Sequence, residues 1–171
     1  MNTFKSVNAE DFIISPFKLI GQDWMLISAE KDGKVNTMTA SWGGLGVLWD
    51  KNVAYIFVRH SRYTKEFLDA ADSFSLSFLD HKKYADTLSY LGSVSGRRTK
   101  KIVKAGLTVA HSVGTPYFDE SSYVIFCKKL CRQPIEPSNF LVGEIDPNYY
   151  EDHDYHDMYI GQIMMIVKKE L

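Results

Sequence analysis

The feature that most limits the fold of this chain is a succession of strand-length runs that no long helix separates. Trp24-Met25-Leu26-Ile27-Ser28-Ala29 is a dense apolar run bounded by Gly21 and by Lys31-Asp32-Gly33-Lys34. Its length suits a buried strand better than a helix. Asp32-Gly33 is a turn signal, so a second strand follows at once through Asn36 to Ser41. Val53 to Val58 is a further buried strand by its β-branched and aromatic content. Phe74-Ser75-Leu76-Ser77-Phe78 alternates strictly and reads as half-buried. Thr108-Val109-Ala110 is brief, Ser121 to Arg132 is long, and Phe140 to Ile145 and Tyr159 to Val167 complete the set. Phe12 to Ile20 reads as the lead-in to a first strand.

Helical signals are fewer. Ser61 to Ala71 reads as a short helix with Ser61 as N-cap, and Tyr63, Phe67 and Ala70 form its apolar stripe. His81 to Leu91 is a second helix, closed by Gly92. Arg97 to Ala105 is a third short helix or turn. Seven or eight strands against about three short helices disfavour a doubly wound parallel sheet. The expectation is a mainly β fold, an antiparallel barrel with helices tucked at one edge. A length of 171 residues suggests one domain, able to bury roughly 70% of the unfolded chain's surface.

Composition narrows the function classes. A net charge of −1 gives no general pull toward nucleic acid or an anionic membrane. The basic run Arg97, Arg98, Lys100, Lys101 and Lys104 is short, and such runs are more often solvated faces. No apolar stretch approaches a membrane span. Met1 to Ser15 carries Glu10 and Asp11 and no long apolar run, so a secretory signal is not expected. Cys127 and Cys131 lie four apart, about 13 Å along a strand, too far for a disulfide. Both read as packing residues, and a reducing cytoplasm is the expected compartment.

Three constellations are candidates to carry chemistry: residues 36–42 together with 59–64, residues 93–101, and residues 146–157. Asn36-Thr37-Met38-Thr39-Ala40-Ser41-Trp42 packs hydroxyl and amide side chains ahead of Gly43-Gly44-Leu45-Gly46. It reads either as a polar edge strand running into a Gly-rich loop or as one wall of a ligand site, since short polar side chains and glycine-exposed amides allow close approach. Arg59-His60-Ser61-Arg62-Tyr63-Thr64 brings two arginines to a helix start that already has positive potential, an arrangement suited to a phosphate. The alternative is two surface arginines paired with carboxylates. Ser93 to Lys101 adds a Gly-containing turn, with Ser95 and Gly96, that could receive a second anionic group. The acidic and aromatic stretch Asp146 to Asp157 holds His153 and His156, but its spacing is no zinc signature. It reads as a solvated loop or a subunit contact. No Ser-His-Asp or Cys-His set, phosphate loop or GxGxxG turn is present. An enzyme of this kind would leave the hard chemistry to a cofactor.

Asn36 to Gly44, then Arg59 to Thr64, then Ser95-Gly96-Arg97 with Lys101, closely resemble the flavin reductase-like proteins of the flavoredoxin group. His156-Asp157-Met158-Tyr159-Ile160-Gly161-Gln162-Ile163 is similar to the His-x-x-x-x-Gly-x-Val/Ile run of the wider family. The matches run in order from about residue 15 to 167. The resemblance implies an FMN-binding split β-barrel and a homodimer with FMN near the subunit interface. It implies that Asn36, Thr37, Met38, Thr39, Ala40, Ser41 and Trp42 line the flavin. Arg59, Ser61, Arg62, Tyr63 and Thr64 would surround its phosphate, with Ser95, Gly96 and Lys101 completing the site. His156 corresponds to a histidine near the nicotinamide of NAD(P)H in related reductases. Here an acidic loop precedes it, whose carboxylates would repel a pyrophosphate unless they point away. The implied activity is transfer of hydride or electrons between a reduced donor and flavin, or a small-molecule or protein acceptor. A non-catalytic FMN electron carrier is the alternative.

Overall fold

The computed structural model describes residues 2–170. In chain order it contains β1 (Phe4–Val7), α1 (Pro16–Gly21), β2 (Met25–Lys31), β3 (Lys34–Ala40), β4 (Gly43–Leu48), β5 (Lys51–Arg59) and α2 (Tyr63–Ala70). There follow β6 (Ser73–Phe78), α3 (His81–Ser93), α4 (Lys101–Lys104), β7 (Val109–Ser112), β8 (Thr115–Phe118), β9 (Tyr123–Pro134), α5 (Ile145–Tyr149) and β10 (His156–Lys169).

The main sheet runs β3-β2-β6-β9-β10-β5-β4, and β1 also pairs with β10. Every pairing in it is antiparallel. β10 is the strand on which the sheet divides. β9 lies along nearly its whole length, while β5 takes residues from His156 to Gln162 and β1 takes residues from Ile166 to Lys169. Two register shifts against β9, at Ile160/Gly161 and Ile163/Met165, bend the strand so that it can serve both partners. Gly161 is required by packing, since a Cβ there would stand 2.6 Å from Phe74 Cζ and 2.8 Å from Cys127 Cβ.

Both β2–β3 and β4–β5 are hairpins with two-residue turns. Asp32 and Gly33 have φ of 51° and 70°, and Trp49 and Asp50 have 52° and 54°, the left-handed pair that matches strand twist. The sheet curls around one apolar cluster. Its alternate residues Met25, Ile27 and Ala29, then Ala54, Ile56 and Val58, then Phe74, Leu76 and Phe78 all enter that cluster, with Leu19 and Ile20 of α1 and Phe67 and Leu68 of α2. The opposite face of β2 presents Leu26 to Leu88, Leu91, Leu107 and Phe118, contributed by α3, the segment after α4, and β8.

The antiparallel β architecture agrees with the expectation from sequence, and several local readings are corrected. Pro16–Gly21 is a helix, not the lead-in to a strand; Pro16 stands at its first turn, where a missing N–H is harmless. The glycine stretch after Trp42 is not a loop but β4, lying against Tyr55, whose carbonyl oxygen is 2.6 Å from where a Gly43 Cβ would be. β6 is buried on both faces rather than one, because Ser75 donates to Pro116 O (2.6 Å) and Ser77 accepts from Phe118 N under the β7–β8 hairpin. The second arm of that hairpin escaped the sequence reading, since Pro116 argues against a strand. Gly92 lies inside α3, not beyond it. Residues 140–144 form no strand; Leu141 is 99% exposed and Val142 53%, and a strand without a neighbour to pair with has no stability. Ala70 is exposed, so α2 buries Thr64, Phe67 and Leu68 instead. Cys127 lies in the inner core and Cys131 is half-buried, both as free thiols.

Candidate functional site

β3 is an edge of the sheet, so the backbone groups along its open side have no strand partner. Thr39, Ala40 and Ser41 at its end, with Met38 and Trp42, form one wall of a cavity of about 160 Å³. Phe57, Arg59, Arg62 and His156 form the rest. The register of the sheet creates this meeting, because His156 pairs directly with Arg59 across β10 and β5. Trp42 is 46% exposed, with its ring 5.3 Å from that of His156 and 5.8 Å from that of Tyr149.

The rest of the polar stretch is turned elsewhere. Thr37 is wholly buried, with its hydroxyl in hydrogen bonds to Ser28 Oγ (2.9 Å) and Ile27 O (2.9 Å), so the structure does not bring it to the cavity. Asn36 donates from Nδ2 to Thr64 Oγ1 (2.8 Å), both residues being buried. Gly96 packs on this pair and on Tyr63, and a side chain at Gly96 would collide with Asn36 Oδ1. Asn36, Tyr63, Gly96 and Lys101 line a separate groove of about 880 Å³. Lys101 itself is buried and donates to Leu91 O and Val94 O, both at 2.9 Å, which neutralises carbonyls at the end of α3. Burial, and then the charge of Arg62, lower its ammonium to about 8. Ser95 Oγ accepts from Arg97 N. The side chains of Thr64 and Lys101 therefore stabilise the frame around the site. Thr39 has a similar second duty, donating to Leu88 O (2.6 Å).

Ser61 is not the N-cap of α2. Arg62 takes that position without a side-chain cap, and Ser61 lies one residue outside. Asp154 holds Ser61 outside the helix: its carboxylate accepts charge-assisted bonds from Ser61 N (2.9 Å) and Ser61 Oγ (2.5 Å). Arg59 also faces the acidic loop. It donates to Tyr149 O (2.7 Å), Asp154 O (3.0 Å) and Asp152 Oδ1 (3.3 Å), with its guanidinium 5.3 Å from the centre of the Tyr150 ring. Arg62 donates to Gly92 O (2.9 Å). Arg59, Ser61 and Arg62 thus line a second cleft of about 620 Å³, whose far side is Asn148, Tyr149, Glu151, Asp152 and Asp154. Arg59 and Asp152 realise the alternative of an arginine paired with a carboxylate, in a loop that the sequence did not mark as its neighbour. Its only sequence signal was opposite charge, which carries no pairing information over 90 residues of separation.

His156 is 6% exposed. Burial and the adjacent Arg59 guanidinium lower its imidazole to about 4, so it is neutral at physiological pH. Its Nδ1 lies 2.8 Å from the Tyr150 hydroxyl; with that hydroxyl donating, Nε2 carries the proton. His153 faces Tyr155 instead. Among the described residues no group of three or more His, Cys, Asp or Glu is placed to hold a metal ion, and no helix is long and apolar enough to cross a membrane.

Asp157 points to the opposite face of β10, as alternation requires. Its carboxylate meets His60 Nε2 (2.7 Å) and Lys65 Nζ (2.8 Å), and Lys65 also reaches Asp69 (2.8 Å). Tyr159 donates to Asp69 Oδ1 (2.6 Å). Burial would raise the Asp157 carboxyl, but its hydrogen bonds to Lys65 and His60 leave it below the usual range. This network ties α2, and with it Arg62, to the strand that carries His156.

The fold has well-defined relatives among solved structures. The chain is similar to an FMN-binding domain of a flavin reductases-like enzyme from Shewanella baltica OS155, with 18% identity and a TM-score of 0.69, over 98% of this chain and 78% of that one. It is similar to the flavoredoxin of Desulfovibrio vulgaris (Miyazaki F), with 24% identity and a TM-score of 0.65, over 86% and 69%. It is also similar to the styrene monooxygenase flavin reductase of Pseudomonas putida S12, with 16% identity and a TM-score of 0.61, over 85% and 79%. These likenesses show the fold, the split barrel of flavin reductase-like proteins. No curated protein sequence matches the chain significantly. The sequence model of the flavin reductase like domain matches residues 17–166, which takes in β3, the Arg59–Thr64 segment and all of β10 up to Ile166. The chain belongs to the flavin reductase like domain family.

Proposed function

We propose that the protein binds FMN and moves hydride or electrons between a reduced donor such as NAD(P)H and flavin, or a small-molecule or protein acceptor. The observation that carries this reading is the union of an open strand edge, an aromatic side chain and two arginines around adjoining cavities. The donor set fits the group. Unpaired backbone groups and the hydroxyls of Thr39 and Ser41 suit the polar edge of a flavin ring, Trp42 suits its apolar face, and Arg59, Ser61 and Arg62 suit a phosphate dianion. Bound FMN would supply the redox chemistry. The protein's part is to orient the ring along β3, neutralise the phosphate, and keep a neutral imidazole at His156 beside the donor's approach. A second subunit belongs to this reading. The apolar groove between α1 and β4, lined by Phe17, Ile20, Trp42 and Leu45, offers it a face, and Phe17 is 87% exposed.

The test is direct. Purified protein loaded with FMN should bleach under anaerobic conditions on addition of NADH or NADPH. Bleaching only by a reduced protein or by dithionite favours the second reading, an FMN electron carrier without a nicotinamide site. One observation supports that second reading: Glu151, Asp152 and Asp154 line the cleft beside Arg59 and would repel a dinucleotide pyrophosphate. Protein that takes up no FMN in a titration excludes both.

Arg62 separates phosphate recognition from ring recognition. Arg62→Ala should weaken FMN by about 1.5–3 kcal/mol, the worth of a hydrogen bond to a charged group, and leave riboflavin nearly unchanged. Parallel titrations with the two flavins check this. Equal loss for both would place Arg62 away from the phosphate.

A further inference from the structure

Two of the site's three anion donors, Arg59 and Ser61, are already occupied by the protein's own acidic loop, while Arg62 donates to Gly92 O. Asp154 presents both carboxylate oxygens to Ser61, one to the backbone N–H and one to the hydroxyl. Asp152 reaches Arg59, and the loop carbonyls of Tyr149 and Asp154 accept two further guanidinium bonds. A carboxylate on a backbone amide, a hydroxyl and a nearby arginine presents the same acceptor chemistry as a phosphate ester. The segment that holds these carboxylates is short and well bounded. At one end Tyr150 is buried, stacks on Phe140 at 5.7 Å and hydrogen-bonds His156. At the other end Tyr155 donates to Asp146 Oδ1 (2.9 Å), and its carbonyl accepts from His60 N (3.0 Å). Between these anchors Glu151, Asp152 and His153 are exposed, and His153 has a φ of 57°, a conformation that non-glycine residues adopt at some cost. Residues 151–154 are held by their polar bonds to Arg59 and Ser61 and by a backbone bond from His153 N to Tyr150 O (2.9 Å).

We propose that Asp154, backed by Asp152, is an internal stand-in for phosphate that sets which flavins the site accepts. A phosphorylated flavin must lift residues 151–154 off Ser61 and Arg59 to reach them. An unphosphorylated flavin uses only the β3 wall and Trp42, and leaves the loop in place. Asp152 and Asp154 are therefore specificity-determining residues, and phosphate binding is coupled to release of the loop. The inference rests on the flavin reading above.

The experiment compares the full-length wild type with Asp154→Ala and with the near-isosteric Asp154→Asn, so that a folding defect in one does not decide the result. Equilibrium dialysis measures FMN and riboflavin separately. A closed loop reduces apparent affinity by the fraction of open protein. Both variants should therefore bind FMN about tenfold tighter, with riboflavin changed by less than roughly twofold. In the wild type, FMN but not riboflavin should speed cleavage after Glu151 by a glutamate-specific protease. FMN bound equally or more weakly by both variants, or cleavage indifferent to FMN, overturns the proposal and leaves the FMN reading standing. Failure of every protein to bind either flavin overturns both.

Discussion

Asp157→Ala should lower the free energy of unfolding by about 3 kcal/mol, the order observed when one partner of a buried ion pair is removed. The Asp157 side chain is 5% exposed and that of Lys65 13%. Removing the carboxylate leaves the Lys65 ammonium facing the Arg132 guanidinium, with only Asp69 to balance them. Asp69 keeps one salt bridge to Lys65, which holds the loss near the low end of the usual range for buried pairs. Urea unfolding at neutral pH measures it. A control separates lost attraction from stranded charge. The double variant Asp157→Leu with Lys65→Met removes both main partners and should lose less than Asp157→Ala alone. A double variant as unstable as the single one would show that the network matters through packing. The functional consequence follows from position. α2 begins at Tyr63, directly after Arg62, so loosening its tie to β10 loosens the arginine as well.

The second large effect is an acid-side loss of stability owing to His156. Its folded value of about 4 lies below the ordinary 6.5 of histidine, so between those values the unfolded chain binds a proton that the folded protein refuses. Stability therefore falls as pH drops from about 6.5 to about 4, and levels off below that. The full gap is worth roughly 3 kcal/mol. The depressed carboxyls of Asp157 and Asp69 contribute in a different window. Burial would raise both, their Lys65 bonds more than offset it, and the stability they add is lost only as pH falls below the ordinary carboxylate value. Urea midpoints between pH 7 and pH 4 test the assignment. His156→Asn should flatten the curve over that range while leaving the steeper loss at lower pH. An unchanged slope would assign the titration to another group. The same neutrality matters in the site, where a charged imidazole beside Arg59 would be repelled by it.

Much of the frame was readable because strands announce themselves locally. Asp32-Gly33 between two strand-length runs specified the β2–β3 hairpin, and β5, β6, β9 and β10 each carry the apolar content that a buried strand needs. The misreadings share one cause. Phe140 to Ile145 has strand composition, but no strand edge is available to it, and Leu141 remains in solvent. Gly43 to Gly46 has loop composition, yet it pairs as β4 along β5; of its three glycines Gly43 alone is sterically required, since a Cβ there would stand 2.6 Å from the Tyr55 carbonyl oxygen. Composition reports what a segment can do in isolation; pairing depends on what the rest of the chain offers it.

The sequence by itself determined the β2–β3 hairpin, the polar character of the β3 wall, and the two arginines at the start of α2. Those are properties of residues close together in the chain. Only the tertiary structure decided which of these groups meet. The β5–β10 register places His156 opposite Arg59. The barrel's interior claims Thr37, and the end of α3 claims Lys101. Asp154 and Asp152, read from sequence as part of a solvated loop or a subunit contact, prove to face Ser61 and Arg59. Electrostatic pairing acts through space at a few ångströms, and separation along the chain holds no record of it.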